Sequence, residues 1–310
     1  TLQPQSATIY AGRSATFSAA ADGTEPITYQ WKVNGAPVAG EVAESFTYTP
    51  AGVGNYTVVC TAIGAGSTDS TPVTLAVLDV PTESNVSQDL VVHLKFDSDY
   101  KDVSGHGNNG TSKGKPGFVV GKIGTKALHY NTDTASSTFN YVTLGKPNDL
   151  NLDPNVNFSV SFWIKFTGTP GDLPFLANND NSMGDVGVTI APSYGEGGWS
   201  WGLNDSVAPK AWPGIGLYDP VKNTLNDGEW HHVVHTFDRL GMATTYLNGL
   251  QVHQMSIASA AGWVMNSGKP WNIGQASGTY AETGDFQMDD LGIWRRALTP
   301  LEVDTIYQVG

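Results

Sequence analysis

Apolar and polar residues alternate in short runs along the whole chain, and glycine, asparagine, aspartate and proline separate the runs. Alternation with a period of two is typical of β-strands that bury one face. No long stretch repeats its apolar residues every three or four positions, so we expect few helices. In the first part of the chain the pattern predicts strands near Ala15–Ala20, Thr28–Val33, Ser45–Thr49, Asn55–Ile63 and Val73–Val77. The sequence therefore predicts an all-β protein.

The alternation stops in one polar stretch that contains a proline. This stretch reads LDVPTESNVSQ and follows the last strand of the first part. Polar segments without periodicity are typical of linkers between domains. The pattern therefore predicts a first domain over residues 1–78, a linker over 79–88 and a second domain over 89–310.

Composition narrows the class of protein. The chain has 310 residues, of which 40% are hydrophobic and only 15% are charged, and this excludes a disordered protein. The net charge of −13 argues against a nucleic acid partner, because phosphates need a basic surface. No apolar run is long enough to span a membrane, and a single cysteine excludes an intrachain disulfide. The first residue is Thr1 rather than methionine, so we expect a removed leader or a piece of a longer chain.

Two aromatic residues of the first part resemble those of immunoglobulin-like domains. Trp31, in YQWKVNG, resembles the core tryptophan of strand C, and Tyr56, in GNYTVVC, resembles the tyrosine corner. The two usual cysteine positions fall on Ala19 and Val58, so the resemblance implies a bacterial-type immunoglobulin fold held by apolar packing alone. Cys60 shares a strand face with Val58, and we expect a buried small hydrophobic residue rather than a reactive thiol.

Six sequence blocks of the second part occur in the order typical of one fold family. They are VVHLKFD with DVSGHGNNGT, FSVSFWIKF, DGEWHHVVHTFDR, TTYLNGLQV, WNIGQ and FQMDDLGIWRRALTPLEV. Together they resemble the laminin-G-like, concanavalin A-like jelly-roll superfamily, in the branch found in secreted bacterial polysaccharide-active and adhesion proteins. The resemblance covers residues 89–310 and implies a jelly-roll β-sandwich. It does not fix the function, because one fold supports many functions.

The end of the last block predicts a short helix. Thr299 suits the N-cap position, Pro300 suits the first helical position, and Glu302 completes a capping box. The resembled family also implies a helix that closes the domain.

The sequence does not predict a catalytic centre. Glucanases of this superfamily place two glutamates on one strand face, where they flank the glycosidic bond. The glutamates of the second part are isolated, and the paired acids Asp289 and Asp290 point to opposite faces unless a bulge intervenes. The histidines of WHHVVH do not predict a metal site. His231 and His235 would lie about 13 Å apart on one strand face, whereas zinc holds its ligand nitrogens at ~2.1 Å. We therefore expect a non-catalytic protein.

A structural calcium site is predicted near the start of the second part. The loop FDSDYKDVSGHGNNG combines glycines with hard oxygen ligands, which suit Ca²⁺. In the resembled family a calcium ion commonly ties this loop to an acid of the last strand. Matching the motifs position by position implies the ligands Asp97, Asp102, Asn108, Asn109, Asp289 and Asp290. The alternation of apolar residues changes phase at Asp289 and Asp290, which predicts a β-bulge that re-aims a carboxylate. The alternative interpretation is a solvated polar turn.

Ligand contacts are predicted where aromatic residues are densest. Sugars stack on aromatic rings and hydrogen-bond to polar side chains, and the segment YGEGGWSWGLNDSVAPKAWPGIGLY concentrates both kinds of residue. Its candidates are Tyr194, Trp199, Trp212 and Tyr218. Trp212 is the strongest, because the proline and glycine beside it indicate a surface loop. Trp199 alternates in phase with Trp201 and Leu203, so a buried strand face is the alternative explanation for it.

Two further clusters are weaker candidates. The first consists of Asp180, Asp185, Asn204 and Asp205. These residues would lie close together if the intervening strands pair, and would then bind an ion or sugar hydroxyls; two separate polar hairpin loops are the alternative. The second consists of Trp263 and Trp271, which flank the loop NSGKP.

These observations favour a non-catalytic carbohydrate-binding module with an immunoglobulin-like spacer, in a secreted or cell-surface bacterial protein. Polysaccharide or glycan is the expected partner, and the sequence shows no basic patch, which favours a neutral or weakly charged glycan. The alternative is an adhesion or structural segment that binds a protein. A flat apolar surface would favour that alternative.

Overall fold

The computed structural model describes residues 2–23, 25–79, 85–152, 154–168, 171–180, 185–193, 197–205, 214–217, 224–276, 278, 280 and 282–309. The chain divides into two compact units, Thr1–Ser84 and Asn85–Gly310. Nearly all regular structure in both units is β-strand, so the all-β prediction is confirmed. Among the described residues, no helix is both long enough and apolar enough to cross a membrane.

The first unit contains two β-sheets. Its strands are β1 Ala7–Tyr10, β2 Ala15–Ser18, β3 Thr28–Val33, β4 Ala36–Pro37, β5 Ser45–Tyr48, β6 Gly54–Ile63, β7 Ser67–Asp69 and β8 Val73–Leu78. One sheet has the order β1-β8-β6-β3-β4, with β7 paired to β6, and the other sheet consists of β2 and β5. All five strands predicted for this part are present.

Aromatic rings fill the core of the first unit. Trp31 is completely buried, and its ring lies 5.4 Å from that of Phe46 and 6.5 Å from that of Phe17, between ring centroids. Cys60 is buried in the same cluster, and burial, followed by the charge of Asp69, raises the pKa of its thiol to about 11. The thiol is therefore protonated and unreactive at neutral pH, as a small hydrophobic residue should be.

The positions matched to an immunoglobulin-like domain lie where that resemblance implies. The hydroxyl of Tyr56 donates to the carbonyl of Gly52 at 2.8 Å, four residues upstream. Ala19 and Val58, at the two usual cysteine positions, are both buried. The structure shows two sheets that enclose a common core, whereas the immunoglobulin-like identity of this unit stays a prediction.

The second unit is a curled jelly roll. Its strands are β9 Leu90–Leu94, β10 Thr111–Lys113, β11 Gly117–Val120, β12 Lys126–Asp133, β13 Thr138–Gly145, β14 Phe158–Lys165, β15 Leu176–Ala177, β16 Gly187–Pro192, β17 Trp199–Asn204, β18 Ile215–Leu217, β19 His231–Phe237, β20 Met242–Leu247, β21 Leu250–Ser256, β22 Trp271–Ile273 and β23 Gly284–Trp294. Hydrogen bonds connect them in the order β18-β17-β16-β15-β22-β13-β12-β23-β14-β19-β20-β21. The two halves of this path face each other, and Trp201 of the first half packs edge-on against Phe237 of the second, with 5.0 Å between ring centroids.

Residues 85–88 belong to this second unit, although the sequence assigned them to a linker. The indole N–H of Trp294 donates to the carbonyl of Val86 at 2.7 Å. The guanidinium of Arg296 donates to the carbonyls of Asn85 and Gln88, both at 2.9 Å. Side chains at the end of β23 and just after it fix this segment, and its local sequence gives no sign of them.

Helix α1, Pro300–Val309, closes the domain as predicted. The backbone N–H of Thr299 donates to the carboxylate of Glu302 at 2.8 Å, and the N–H of Glu302 donates back to the Thr299 hydroxyl at 3.3 Å. This is the predicted capping box. The predicted bulge is also present. Asp290 has a positive φ of 49°, and the pairing of β14 with β23 shifts register beside it.

Candidate functional site

Several loops meet at one end of the jelly roll, called the loop end below. It consists of segments 145–152, 178–180, 185–187, 204–205 and 263–271. Pairing of β16 with β17 places Gly187 opposite Asn204, so the strands flanking the predicted acid cluster do pair. Asp205 accepts a hydrogen bond from the backbone of Val264 at 3.0 Å, and Asp180 forms an ion pair with Lys269 at 2.7 Å. These contacts bring the predicted cluster and the 263–271 loop to the same end.

A small cavity of about 100 Å³ opens at the loop end. Its described lining residues are Lys146, Pro147, Asn148, Leu150, Asn151, Leu152, Asn178, Val188, Met265, Asn266, Lys269 and Trp271. Apolar side chains such as Met265 and Trp271 are buried, whereas Lys146, Asn148 and Asn266 are exposed. The cavity therefore combines an apolar interior with carboxamides and ammonium groups at the surface. We call it the loop-end pocket.

Side-chain donors from distant elements fix the loop on one side of the pocket. Arg295 donates to the carbonyls of Asp149 and Asn151, both at 2.7 Å. The indole N–H of Trp271 donates to the carbonyl of Leu150 at 3.2 Å. Loop carbonyls that already have partners do not reorganise when a ligand arrives, which reduces the entropy cost of binding.

Arg239 extends this network into the interior. Its guanidinium is completely buried and donates to the carbonyl of Leu152 at 3.3 Å, and to those of Ala260 and Trp263 at 3.1 and 3.2 Å. A guanidinium stays charged at any physiological pH, so its burial requires acceptors of this kind. Arg239 thus links the 149–152 segment to the start of the 263–271 loop.

Asn178 fixes the other side of the pocket. Its side-chain oxygen accepts from the backbone N–H of Val188 at 2.6 Å, and its amide group donates to the carbonyl of Met265 at 3.4 Å. The hydroxyl of Ser267 donates to the Asn178 carbonyl. Both sides of the pocket are therefore held by hydrogen bonds within the domain.

The structure corrects one of the predicted aromatic contacts. Trp199 is completely buried between the two halves of the jelly roll, and its indole N–H donates to Nε2 of His235 at 2.9 Å. Its ring has no face left for a sugar. The alternative explanation given above, a buried strand face, is therefore the one that applies to Trp199. Tyr194, Trp212 and Tyr218 lie outside the described residues.

The histidine cluster has a structural place. His232 and His235 are buried, and burial lowers the pKa of each to about 3, so both are neutral at physiological pH. His235 bonds to the Thr245 hydroxyl through Nδ1 at 3.1 Å, and His232 bonds to Ser161 through Nε2 at 2.8 Å. The two rings lie on opposite faces of β19. The ring of His235 contacts Phe237 of the core, and the ring of His232 contacts Tyr307 of helix α1.

Half of the predicted calcium ligands form a closed hydrogen-bonded loop. Asp102 accepts from the backbone N–H groups of His93, Ser104 and Asn108 at 2.8–2.9 Å. Burial alone would raise the pKa of Asp102, but these donors outweigh it and lower the pKa. Asn109 accepts from the backbone of Asp102 at 2.9 Å, and Asn108 donates to the carbonyl of Val91 at 2.7 Å.

Two of the other three predicted ligands, Asp97 and Asp289, contact the turn 121–126. Asp97 accepts from the backbone of Thr125 at 2.5 Å, and Asp289 accepts from the backbone N–H groups of Lys122 and Ile123 at 2.8 and 2.9 Å. Asp289 is completely buried, and desolvation raises its pKa to about 7.

Hydrogen bonds within the domain already engage several of the six residues. Asp290 pairs with His93 at 2.8 Å, and N–H donors engage the carboxylates of Asp102 and Asp289 that a calcium ion would need. Within the described part of the chain, no group of three or more His, Cys, Asp or Glu side chains is arranged to hold a metal. The calcium ion stays a prediction, and neither proposal below rests on it.

Sequence reasoning missed two acids at the opposite end of the domain. The hydroxyl of Tyr280 donates to both carboxylate oxygens of Asp172 at 2.8 Å. Burial, followed by the charge of Asp172, raises the pKa of Glu282. The acids come from different loops, so no local spacing reveals them. The contact ties Tyr280 to the loop that carries Asp172.

A second, larger cavity of about 510 Å³ lies on the outer face of β12, β14 and β23. Several of its polar side chains already have partners within the sheet. Asp285 bonds to His129 at 2.7 Å, and Asn131 accepts from Asn140 at 2.6 Å. Regular strands rather than loops form its floor, so the loop-end pocket is the better candidate for a specific site.

Comparison with known proteins identifies the fold family. A laminin G family model, described as the concanavalin A-like lectin/glucanases superfamily, matches residues 136–304. The chain belongs to this superfamily. The predicted jelly-roll resemblance is therefore confirmed for the second unit. No curated protein matches the chain.

Solved structures with similar folds are binding domains of toxins. The binding domain of Paraclostridial Mosquitocidal Protein 1 is 22% identical with a TM-score of 0.57, and the match covers 72% of this chain and 52% of that one. The botulinum neurotoxin serotype G binding domain is 20% identical with a TM-score of 0.53, covering 71% and 51%. The botulinum neurotoxin DC binding domain in complex with SialylT is 16% identical with a TM-score of 0.54, covering 72% and 52%. The chain spans about half the length of these proteins, and at such identities the likeness concerns the fold. The match to a lectin-like family is consistent with a non-catalytic binding domain.

Proposed function

We propose that the second unit is a carbohydrate-binding module and that the loop-end pocket is its site. The observation that carries the proposal is the arrangement of exposed carboxamides around an apolar interior, on loops that are already fixed by hydrogen bonds. Asn148 and Asn266 are exposed at the mouth, and Met265 and Trp271 form part of the interior. A carboxamide both donates and accepts, which matches a sugar hydroxyl.

The size of the pocket limits what enters it. A volume of about 100 Å³ is below the ~300–1,000 Å³ of pockets that enclose a whole small ligand. A whole sugar ring is larger than this, so the pocket accepts one substituent of a sugar while the ring lies across the mouth. Trp271 is only 3% exposed and therefore supports the interior without offering a stacking face.

Binding should be tested on a glycan array and then by calorimetry, with the full chain. We expect Asn148→Ala and Asn266→Ala each to weaken binding about tenfold, the change that accompanies the loss of one net hydrogen bond. Gln287→Ala, in the larger cavity, is the matched control and should leave affinity unchanged. Asn266 also accepts from the backbone of Gly268 at 3.0 Å, so melting temperatures should be compared for all variants.

The same array tests the predicted loop contact. Trp212→Ala should weaken binding if the sequence-based prediction for this loop is correct. The segment that carries it leaves the described chain after Asp205 and re-enters at Gly214, which lies against Asn204 of the loop end. If Gln287→Ala abolishes binding while Asn148→Ala does not, the site is in the larger cavity and the loop-end assignment is wrong.

A protein partner is the second candidate function. The botulinum neurotoxin DC binding domain has been solved both with SialylT and with rat synaptotagmin II, so one such fold is seen with both kinds of molecule. Absence of binding to every glycan on the array, with a correctly folded protein, would favour this candidate. For the chain studied here, the polar pocket favours the carbohydrate.

The first unit fits the role of an immunoglobulin-like spacer. The geometry of Trp31 and Tyr56 supports this assignment, together with a core held without a disulfide. A binding module next to a spacer raises the effective concentration of an attached domain at a polymer. Secretion and membership of a longer bacterial chain belong to the same proposal.

A further inference from the structure

We propose that the loop-end pocket selects glycans that carry an anionic substituent, a carboxylate or a sulfate ester, an inference that rests on the proposed carbohydrate function. It differs from the expectation of a neutral glycan, which rested on the lack of a basic patch in the sequence. The fold creates such a patch from residues that are far apart in the chain.

Two lysines stand at the mouth of the pocket, on separate loops. Lys146 is exposed on the segment that follows β13, and Lys269 lies just before β22. None of the described lining residues is acidic, although the chain has 29 acidic and only 16 basic residues. The described lining of the pocket is therefore positively charged, whereas the chain as a whole carries a net charge of −13.

Two further cations stand behind the same loop. Arg239 and Arg295 donate to carbonyls of Asp149, Asn151 and Leu152, as described above. Arg239 is completely buried, so water and salt screen its charge less than that of a surface residue. Both guanidinium groups add positive potential to a segment that lines the pocket.

The acids at the loop end are already engaged. Asp149 accepts from His106 at 3.2 Å and from Asn108 at 2.9 Å. Asp205 is 9% exposed and accepts from the backbone of Val264. Asp185, in segment 185–187, also has an interaction partner. Asp180 pairs with Lys269 at 2.7 Å, and the two side chains are 49% and 42% exposed.

The Asp180–Lys269 pair can be exchanged for a ligand. Ion pairs between exposed side chains contribute little, typically ~0–1 kcal/mol. A sugar carboxylate or sulfate that enters the pocket can replace Asp180 as the partner of Lys269 and gain Lys146 as a second cation. The pocket volume of about 100 Å³ suits a group of this size better than a sugar ring.

The test compares glycans with the same backbone, with and without the anionic group. Polygalacturonate is compared with its fully methyl-esterified form, and dextran sulfate with dextran, by calorimetry on the full chain. We expect at least one anionic glycan to bind about tenfold or more tightly than its neutral counterpart, and this preference to fall as salt rises from 50 to 500 mM, because screening shortens the reach of surface charges. The two pairs distinguish a carboxylate from a sulfate ester.

Three variants test the residues. Lys146→Gln and Lys269→Gln should each reduce the anionic preference, the ratio of anionic to neutral affinity measured on the same variant, about tenfold, the factor for one charge-assisted contact. Asp180→Asn should strengthen anionic binding about threefold, because it frees Lys269 and removes a competing charge. Lys165→Gln, at the far end of β14, is the matched control for loss of one positive charge.

The outcomes separate this inference from the proposed function. Equal binding of charged and neutral glycans overturns the inference and leaves the carbohydrate module intact. Binding of no glycan at all overturns both. If Asp180→Asn weakens binding instead, Asp180 contacts the sugar itself, as the sequence suggested, and the exchange described here does not occur. A preference that survives both lysine substitutions places the anionic site elsewhere and also overturns the inference.

Discussion

The two units of the chain bury different kinds of residue. The core of the first unit consists of stacked aromatic and aliphatic side chains around Trp31, and Thr61 is its one buried polar residue among those described. The second unit buries histidines, carboxamides, Asp289 and Arg239 beside a much larger apolar core. Burying a polar group is costly unless it has partners. In the second unit several of those partners are loop carbonyls and loop N–H groups.

The difference indicates what each core does. An apolar core only has to hold two sheets together, which is sufficient for a spacer. A core with buried donors also determines where loops lie, as Arg239 does for the carbonyls of Leu152, Ala260 and Trp263. The loop-end pocket is therefore a consequence of how the second core is built.

The largest effect is expected in the aromatic core of the first unit. Trp31→Ala should reduce the free energy of unfolding of this unit by about 3–5 kcal/mol, because it leaves a large cavity between the sheets. Calorimetry on the full chain should show the loss of one transition, while the transition of the second unit stays in place. Val53→Ala, at a 50% exposed site, is the control and should leave the unfolding transitions of both units unchanged. A joint shift of both transitions would show that the two units do not unfold independently.

Arg239→Met should have the next largest effect, and in the second unit. It leaves three buried carbonyls without their donor, which should reduce the free energy of unfolding by about 3 kcal/mol. Glycan binding should weaken as well, because the 149–152 segment loses one of its supports. Arg239→Lys keeps the charge but not the planar fork, and we expect an intermediate loss in denaturant titrations. Full stability of the methionine variant would show that Arg239 is dispensable.

The buried histidines predict a smaller, pH-dependent effect. His235 has a pKa of about 3 in the folded protein, against 6.5 for an ordinary histidine, because burial disfavours its charged form. Below pH 6.5 the unfolded chain binds a proton that the folded chain does not. The stability linked to this group is thus fully present above pH 6.5 and is lost as the pH falls towards 3.

Replacing His235 should therefore flatten the pH dependence of stability. His235→Gln should reduce the slope between pH 6 and 4 by about 1.4 kcal/mol per pH unit, the value for one proton. Urea titrations at several pH values measure this, and substitution of the half-buried His253 provides the control. Equal slopes for His235→Gln and the unmodified protein would contradict the low pKa.

The smallest effect concerns calcium. Backbone N–H groups already occupy the oxygens of Asp102 and Asp289, so we expect the melting temperature to stay the same in calcium and in EDTA. Asp102→Asn is a useful companion variant, because it should destabilise the loop equally in both buffers. A melting temperature several degrees higher in calcium, and lost in EDTA, would confirm the calcium ion that the family resemblance implies.

Local patterns predicted local features well. The five strands of the first part, the capping box at Thr299 and Glu302, and the bulge at Asp290 are all present. Each of these depends on residues within a few positions of one another. Residues 85–88, which the sequence assigned to a linker, group with the second unit, because Arg296 and Trp294, more than two hundred residues later, hydrogen-bond to that segment.

The pocket shows where local patterns stop. The loop NSGKP stood out because two tryptophans flank it, but nothing near it points to Lys146 or Asn148. Trp199 shows the same limit for a strand. Its alternation with Leu203 indicated a shared face, yet the alternation does not state whether that face is covered.

The sequence by itself therefore determined an all-β chain with two units, the positions of five strands in the first, its closing helix and its membership of the jelly-roll family, because these follow from period, turn chemistry and motif order. Only the tertiary structure decided which of its side chains meet at the loop end. The curl of the large sheet places Lys146 and Lys269 beside one pocket, buries Trp199 against His235, and lets Arg239 reach three loop carbonyls. The physical reason is that burial and hydrogen bonding depend on distances in space, which the order of residues along a strand does not specify.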